Sequence, residues 1–411
     1  MPLVACGWAE RALGSVIFVA DSPVTQTIPA TAACVASTRE LQPDVTFLSL
    51  MVTSPIHISR PQGRPPLERS AARRDIPATA ELRSGPVTYA SFRVHTRDGM
   101  ELSLFRSHPA GLTVSKRPVL LLHGVASNRF GFGLSEAVNL PRFLNARGRD
   151  VWLLEFRGCR SSRDLLERRP APVDVDRMLS MDLPAAVERV LSMTGATEVD
   201  LVGHSLGGLL TYLYLGASPN PRVARAVTLS APWGLGYMLP VLGRRLLRRP
   251  AGRVRPLLSR LSGVGLPKAS RMRGPVGHLV MLRQHARFLN TDRRLRRTFL
   301  DHAVEDMPGT FLAQLMDWVV DDRMTSVAGS MYEDLPGKVS HPVRVIACQN
   351  DRVVPPSAAR AGFEALNSDE RDFVVIGKRH GGARDYGHMD MLMAPTAVED
   401  IYPQVAQWLE R

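Results

Sequence analysis

The sequence predicts an α/β fold in which a mostly parallel β-sheet is covered by helices on both faces. From residue 86 onward, short apolar runs alternate with amphipathic stretches, a pattern typical of parallel strands that are buried on both sides. A Gly-x-Ser-x-Gly stretch at residues 203–207 stands between one such run and a helical stretch. With 45% hydrophobic residues, the 411-residue chain can form one large domain with insertions or two domains.

Each predicted element rests on its local pattern. Apolar runs predict strands at residues 88–95, 100–105, 117–124, 150–156, 198–202, 222–229, 342–348 and 372–376. Amphipathic or helix-forming stretches lie at residues 135–147, 182–193, 206–216, 357–366 and 397–410. Asp98 and Gly99 between the first two strands are a hairpin signal.

Ser205 is the central residue of the Gly-x-Ser-x-Gly stretch. The strand before it and the helix after it provide the context that a nucleophile elbow requires. Gly203 and Gly207 allow close backbone approach where a Cβ would clash. The alternative is a glycine-rich turn in which the serine only caps the helix.

Residues 1–85 are predicted to form a poorly ordered N-terminal extension. They are rich in Ala, Thr, Ser and Pro, and residues 61–83 have the Arg- and Pro-rich composition of a linker. No run is long enough to span a bilayer, and no basic region precedes the first apolar run as a signal peptide requires.

The cysteines do not call for an oxidising compartment, so a cytoplasmic location is the default expectation. None of the four has C-x-x-C or zinc-ligand spacing, and they stand at Cys6, Cys34, Cys159 and Cys348. Cys348 is expected to be buried, because it lies in an apolar strand.

Positive charge is concentrated in residues 244–297. This segment holds sixteen basic residues and one acid, Asp292, so the rest of a chain of net charge +13 is close to neutral. The charge has three alternative explanations: a solvated arginine face, binding to an anionic membrane surface, or recognition of an anionic substrate group. Nucleic acid is not an expected partner, because Phe288 is the only aromatic residue among these arginines.

Residues 232–340 interrupt the alternation of strands and helices. The stretch is helical in character, broken by prolines, and too long for an ordinary loop. We therefore expect an Arg-rich helical cap, inserted between the two parts of the core at 86–231 and 341–411. Five methionines of this stretch favour either an apolar pocket or the core of the cap, and they are Met238, Met272, Met281, Met316 and Met324.

Four features in this order resemble the α/β-hydrolase superfamily over residues 87–410. They are His123 with Gly124 after an early strand, Ser205 in the elbow, Asp351 after a late strand and His388 in a C-terminal loop. The order of serine, acid and histidine is the one found in that superfamily. The resemblance implies an α/β-hydrolase fold and a serine hydrolase.

The resemblance also implies a role for each site residue. Ser205 is the expected nucleophile, His388 its general base, and Asp351 the acid that orients the histidine. The backbone N–H groups of Val125 and Leu206 are expected to form the oxyanion hole. Structural support of the site is expected from His123, Gly124, Gly203 and Gly207. No metal or organic cofactor is implied.

Each of these residues has a competitor or a simpler role. Asp351 could be a polar turn residue after a strand, with Asp390 as the alternative acid. His380 is the alternative base, whereas His204 is expected to pack and to form hydrogen bonds. Two further polar residues, Asn128 and Arg157, are expected in solvated loops, with a place in the lining of the site as the alternative.

Two local details resemble the acid lipase and sterol-ester lipase branch. The first is residues 150–153 followed by Arg157-Gly158 and Ser161 or Ser162, and the second is residues 388–390 followed by Ala394-Pro395. The elbow sequence Leu206-Gly207-Gly208 departs from that branch and more closely resembles the elbows of bacterial esterases and monoacylglycerol lipases. The expected reaction is hydrolysis of a lipid or other acyl ester.

Two other functions remain open on the same fold. One is acyl transfer, since the organisation resembles polyhydroxyalkanoate synthases, although those carry a cysteine where this chain has Ser205. The other is a binding protein without catalysis.

Overall fold

The computed structural model describes residues 89–107, 117–164, 172–218, 221–238, 240–243, 264–265 and 290–411. The predicted extension at 1–85 and most of the basic segment lie outside these ranges. The division into an extension, a core and a cap at 232–340 therefore stays a prediction. Within the described ranges, no helix combines the length and apolar character needed to cross a membrane.

Strands and helices alternate along most of the described chain. The strands are β1 (Ala90–His95), β2 (Met100–Ser107), β3 (Val119–Leu122), β4 (Val151–Glu155), β5 (Arg163–Asp164), β6 (Val199–His204), β7 (Val223–Leu229), β8 (Val264–Gly265), β9 (Asp306–Met307), β10 (Val343–Cys348) and β11 (Arg371–Ile376). The helices are α1 (Leu140–Asn145), α2 (Val175–Arg177), α3 (Leu183–Thr194), α4 (Leu206–Ala217), α5 (Arg293–His302), α6 (Gly309–Asp321), α7 (Pro356–Ala365), α8 (Asp390–Met393), α9 (Ala397–Asp400) and α10 (Tyr402–Leu409).

The main sheet has the strand order β1-β2-β4-β3-β6-β7-β10-β11, with β5 paired to β2. From β4 to β11 all neighbours are parallel, whereas β2 is antiparallel to both β1 and β4. The predicted mostly parallel α/β fold is confirmed. The hairpin predicted at Asp98 and Gly99 also joins β1 to β2, and Gly99 adopts a φ of 87° that favours glycine.

Alternate residues of the central strands pack on opposite faces of the sheet. In β3, Leu120 and Leu122 pack with α3, α4 and α7, whereas Val119 and Leu121 pack with α1 and the C-terminal helices. Cys348 is fully buried in the second of these clusters, as its strand predicted. Both faces of the sheet are thus covered, as continuous apolar strands require.

The carboxyl ends of the parallel strands bring three predicted site residues to one edge of the sheet. His123 follows β3, Ser205 follows β6, and Asp351 lies shortly after β10. The pairing of Leu122 with Gly203 places the ends of β3 and β6 side by side. Ligands of open α/β sheets bind at this edge.

The prediction of one continuous helix at residues 397–410 is wrong. It is divided into α9 and α10 at Ile401. Pro403 has no N–H to donate, and a proline ring clashes with the carbonyl four residues earlier, here that of Glu399.

The amphipathic stretch at 135–147 forms a helix only over its second half. Asn139 precedes the helix in an extended conformation, and its side chain accepts a hydrogen bond from the N–H of Arg142 at 2.9 Å, which caps α1. Three strands were not predicted: β5, which pairs with β2, and β8 and β9, which pair with each other. Strands of two residues carry too little pattern to be recognised.

Candidate active site

Ser205 occupies a sharp turn between β6 and α4. Its φ of 54° and ψ of −116° are a conformation that residues with a Cβ rarely adopt, and such strain costs about 1–3 kcal/mol. The Ser205 N–H donates to the carbonyl of Leu229 at 2.8 Å, which anchors the turn to β7. A Cβ on Gly203 would overlap the backbone of Gly207, and one on Gly207 would overlap the carbonyl of Leu122. The two glycines are therefore required for close approach.

The loop after β3, residues 123–128, borders Ser205 and is called the β3 loop. His123 is buried, its Nδ1 donates to the carbonyl of Gly124 at 2.8 Å, and its Nε2 accepts from the N–H of Phe156 at 3.3 Å. Burial lowers the pKa of His123, which favours the neutral ring that this pair of bonds needs. A Cβ on Gly124 would lie 3.2 Å from the Cβ of Ser205, so the loop passes close to the elbow.

His388 and Asp351 form a buried pair at the same edge of the sheet. The Nδ1 of His388 donates to Oδ2 of Asp351 at 2.8 Å, while Oδ1 of Asp351 accepts from the N–H groups of Val353 and Val354. Burial raises the pKa of Asp351, but the charge and hydrogen bond of His388 and the N–H of Val354 outweigh it, so the pKa lies below its usual value. The carboxylate is therefore ionised and fixed in position.

The competing acid and base are placed elsewhere. Asp390 is buried, and its carboxylate accepts hydrogen bonds from Asn290, Thr291 and the N–H of Gly387. This carboxylate fixes the loop that carries His388. His380 is exposed in a short 3₁₀ helix, Lys378–His380.

His204 lies between the elbow and the histidine loop. Its Nε2 donates to the carbonyl of His388 at 3.2 Å, and the two imidazole rings are 4.7 Å apart. His204 thus packs and forms a hydrogen bond, as expected.

A narrow cavity of about 30 Å³ lies against Ser205 and His388. A cavity of this size holds about one water molecule. The β3 loop, the turn at Ser205 and residues from later in the chain line it. The described lining residues besides Ser205 and His388 are Gly124, Val125, Ala126, Ser127, His204, Phe299, Val304, Val353 and Met389.

Phe299 and Val304 are site residues that the sequence did not indicate. Both are buried and come from α5 and the residues after it, about a hundred positions after the elbow. The spacing of Leu295 and Phe299 on an otherwise charged helix was the available signal for a buried face.

The expectation that Asn128 and Arg157 lie in solvated loops is wrong, because both side chains are buried. Arg157 is fully buried between Asp98 and Asp182, which accept from its guanidinium. Asn128 is buried and donates to Glu305 and to the carbonyl of His302. A polar side chain can be buried when it is paired. The partners of these two residues come from distant parts of the chain, so the local sequence does not reveal them.

Of the five methionines named from the sequence, those that the structure describes divide between core and surface. Met324 belongs to the main hydrophobic core, whereas Met238 is exposed. Met316 is half-buried on α6. Two others, Met272 and Met281, lie outside the described residues.

Comparison with known proteins agrees with this architecture. Lipase member K from Homo sapiens is 32% identical over 149 residues, 34% of this chain and 37% of that protein. Gastric triacylglycerol lipase from Rattus norvegicus is 32% identical over 147 residues, 33% of this chain and 36% of that protein. The chain thus matches little more than a third of the length of these relatives.

Two further matches concern the fold. The crystal structure of bromoperoxidase from Bacillus anthracis aligns with 78% of this chain and 100% of that chain, with a TM-score of 0.51 and 14% identity, a likeness of fold alone. A family model described as the alpha/beta hydrolase fold matches residues 117–389, which is more than half of the chain. The resemblance indicated by the sequence motifs is confirmed: the chain belongs to the alpha/beta hydrolase fold family.

Proposed function

We propose that this chain is a serine hydrolase that cleaves carboxylic esters of lipids or other acyl groups. The observation that supports this most strongly is the buried Asp351–His388 pair, whose histidine lines the same cavity as Ser205. The names of the matched lipases support an acyl ester as substrate.

The proposed reaction uses these three residues. His388 accepts the proton of the Ser205 hydroxyl as the oxygen attacks the ester carbonyl, and later returns it to the leaving alcohol. Asp351 holds the imidazole with its Nδ1–H toward the carboxylate and stabilises the imidazolium. Water then hydrolyses the acyl-enzyme by the same steps, with His388 again as base.

Two backbone N–H groups would bind the oxyanion. Leu206 begins α4, and the N–H groups of a first helical turn have no carbonyl partner within the helix. Val125 lies in the β3 loop that borders the same cavity. One such donor contributes about 3 kcal/mol to transition-state stabilisation.

A basic surface on α5 supports a further part of the proposal, peripheral association with anionic membranes. Arg293, Arg294 and Arg297 are exposed, whereas Leu295 and Phe299 on the same helix are buried. Clustered exposed arginines attract anionic lipid headgroups.

Vesicles with and without phosphatidylserine test this association. Wild type should sediment with the anionic vesicles only, and the double variant Arg293→Glu/Arg294→Glu should bind them more weakly. Location in the cytoplasm stays a prediction from the sequence.

Turnover of p-nitrophenyl esters of increasing acyl length tests the catalytic proposal. Wild type should release p-nitrophenol and Ser205→Ala should not. Graded concentrations of an acceptor alcohol separate hydrolysis from acyl transfer: an acyltransferase would form the new ester in preference to the free acid. Absence of turnover by wild type on every ester would contradict the proposal.

A further inference from the structure

The residues that follow α5 lie directly along the β3 loop. The N–H of Glu305 donates to the carbonyl of Ala126 at 3.1 Å, and Ser127 forms an antiparallel bridge with Val304. The side chain of Val304 lines the cavity beside Ser205. Residues 303–305, called the clamp segment, therefore pair with the β3 loop as a short strand would.

The Glu305 side chain ties this pairing together from inside the protein. It is only 4% exposed. One carboxylate oxygen accepts from Nδ2 of Asn128 at 2.6 Å, and the other accepts from the backbone N–H of Arg160 at 3.1 Å and from its Nε at 3.0 Å. One buried carboxylate thus joins the β3 loop, the clamp segment and the turn after β4.

The β3 loop needs such support because its backbone is strained. Ala126 has a φ of 51°, in the left-handed region that residues with a Cβ avoid. Strained residues persist where surrounding contacts determine their conformation. The carbonyl of Ala126 is held by the Glu305 N–H, and the neighbouring Asn128 is held by the Glu305 carboxylate.

We infer that Glu305 is a positioning residue for the oxyanion hole: it holds the β3 loop in the strained turn that directs the Val125 N–H toward the reacting carbonyl. The inference rests on the proposed function. Glu305 is not among the residues that line the described cavity, so it acts through the loop and not on the substrate. Its loss should weaken transition-state binding more than substrate binding.

Glu305→Gln tests this with little change in shape. In either orientation the amide NH2 group would face a donor, of Arg160 or of Asn128, so the network is broken while the side chain still fills its space. We expect kcat for a p-nitrophenyl ester to fall at least about tenfold, with KM within about threefold of wild type. Affinity for a trifluoromethyl ketone, which forms an oxyanionic hemiketal on the catalytic serine, should fall by the same factor as kcat/KM. Arg160→Ala, at a largely exposed side chain, should give a smaller change in the same direction.

Asp176→Asn is the matched control. Its carboxylate also joins distant segments, accepting from Gln314, Tyr332 and the N–H of Val327, none of which belongs to the β3 loop. It should lower the melting temperature without changing kcat or ketone affinity. The inference is overturned if Glu305→Gln and Arg160→Ala lose only thermal stability, or if Asp176→Asn loses ketone affinity equally. A wild type that neither turns over esters nor binds the ketone would instead overturn the proposed function.

Discussion

The Nδ1 of His388 lies 2.8 Å from Oδ2 of Asp351, and both side chains are buried. The pair joins the loop after β10 to the loop before α8, which are 37 residues apart. The low pKa of Asp351 keeps a negative charge beside the imidazole. This charge would stabilise the imidazolium formed when Ser205 loses its proton.

Asp351 should make stability depend on pH in the acid range. Its pKa is lower in the folded protein than in the unfolded chain, so its ionised form stabilises the fold above the unfolded value, near 3.9, and this contribution is lost as the pH falls through the folded value. Asp351→Asn should therefore lower the free energy of unfolding by about 1–3 kcal/mol at pH 7. In urea unfolding from pH 3 to pH 8, the difference from wild type should shrink below about pH 4, and a constant difference would count against the ion pair.

His388 and His380 provide a matched pair for identifying the general base. His388→Ala should reduce kcat roughly 10⁴-fold or more, because no other described imidazole is bonded to Asp351. His380→Ala should leave kcat unchanged, since that side chain is exposed in the turn Lys378–His380. Steady-state kinetics on a short-chain ester distinguishes the two, and a large loss in His380→Ala alone would reverse the assignment.

The elbow should tolerate no side chain at Gly207. A Cβ there would overlap the backbone carbonyl of Leu122. Because the overlapping atoms belong to the backbone, no flexible side chain could move aside to relieve the clash. Gly207→Ala should therefore destabilise the protein by about 3 kcal/mol or more. Gly337→Ala is the control, because no atom lies within 4 Å of the added Cβ, and it should change stability by less than about 0.5 kcal/mol. Equal melting temperatures for both variants would show that the elbow is looser than described.

Phe299 should limit the acyl length that the site accepts. Its buried ring lines a cavity that holds about one water molecule. Phe299→Ala should raise the ratio of kcat/KM for octanoyl over acetyl p-nitrophenyl esters at least about tenfold. Phe311→Ala removes an equally buried ring from the main core and should lower stability without altering that ratio. The same length preference in both variants would exclude Phe299 as a determinant.

Local sequence patterns were sufficient to predict the main strands of the sheet and the turn at Ser205. Apolar runs placed the main strands, and the glycines around Ser205 marked a turn that only small residues permit. The order of motifs also indicated the loops in which Asp351 and His388 lie. These features depend on residues close together in the chain, or on chain order alone.

The clamp segment could not be predicted in this way. Glu305 and Asn128 are 177 residues apart, and neither position has a local pattern that indicates the other. The burial of Arg157 was missed for the same reason, because its partners Asp98 and Asp182 come from separate elements. Polar residues are mostly exposed, so only the folded arrangement reveals those that are buried in pairs.

Covalent labelling of the nucleophile tests the central proposal most directly. A fluorophosphonate probe attacked by an activated serine leaves a stable adduct, which peptide mass spectrometry can locate. Wild type should carry one adduct, on Ser205, and Ser205→Ala should carry none. Equal labelling of Ser205→Ala, or an adduct on any other residue of wild type, would contradict the assignment of Ser205 as the nucleophile.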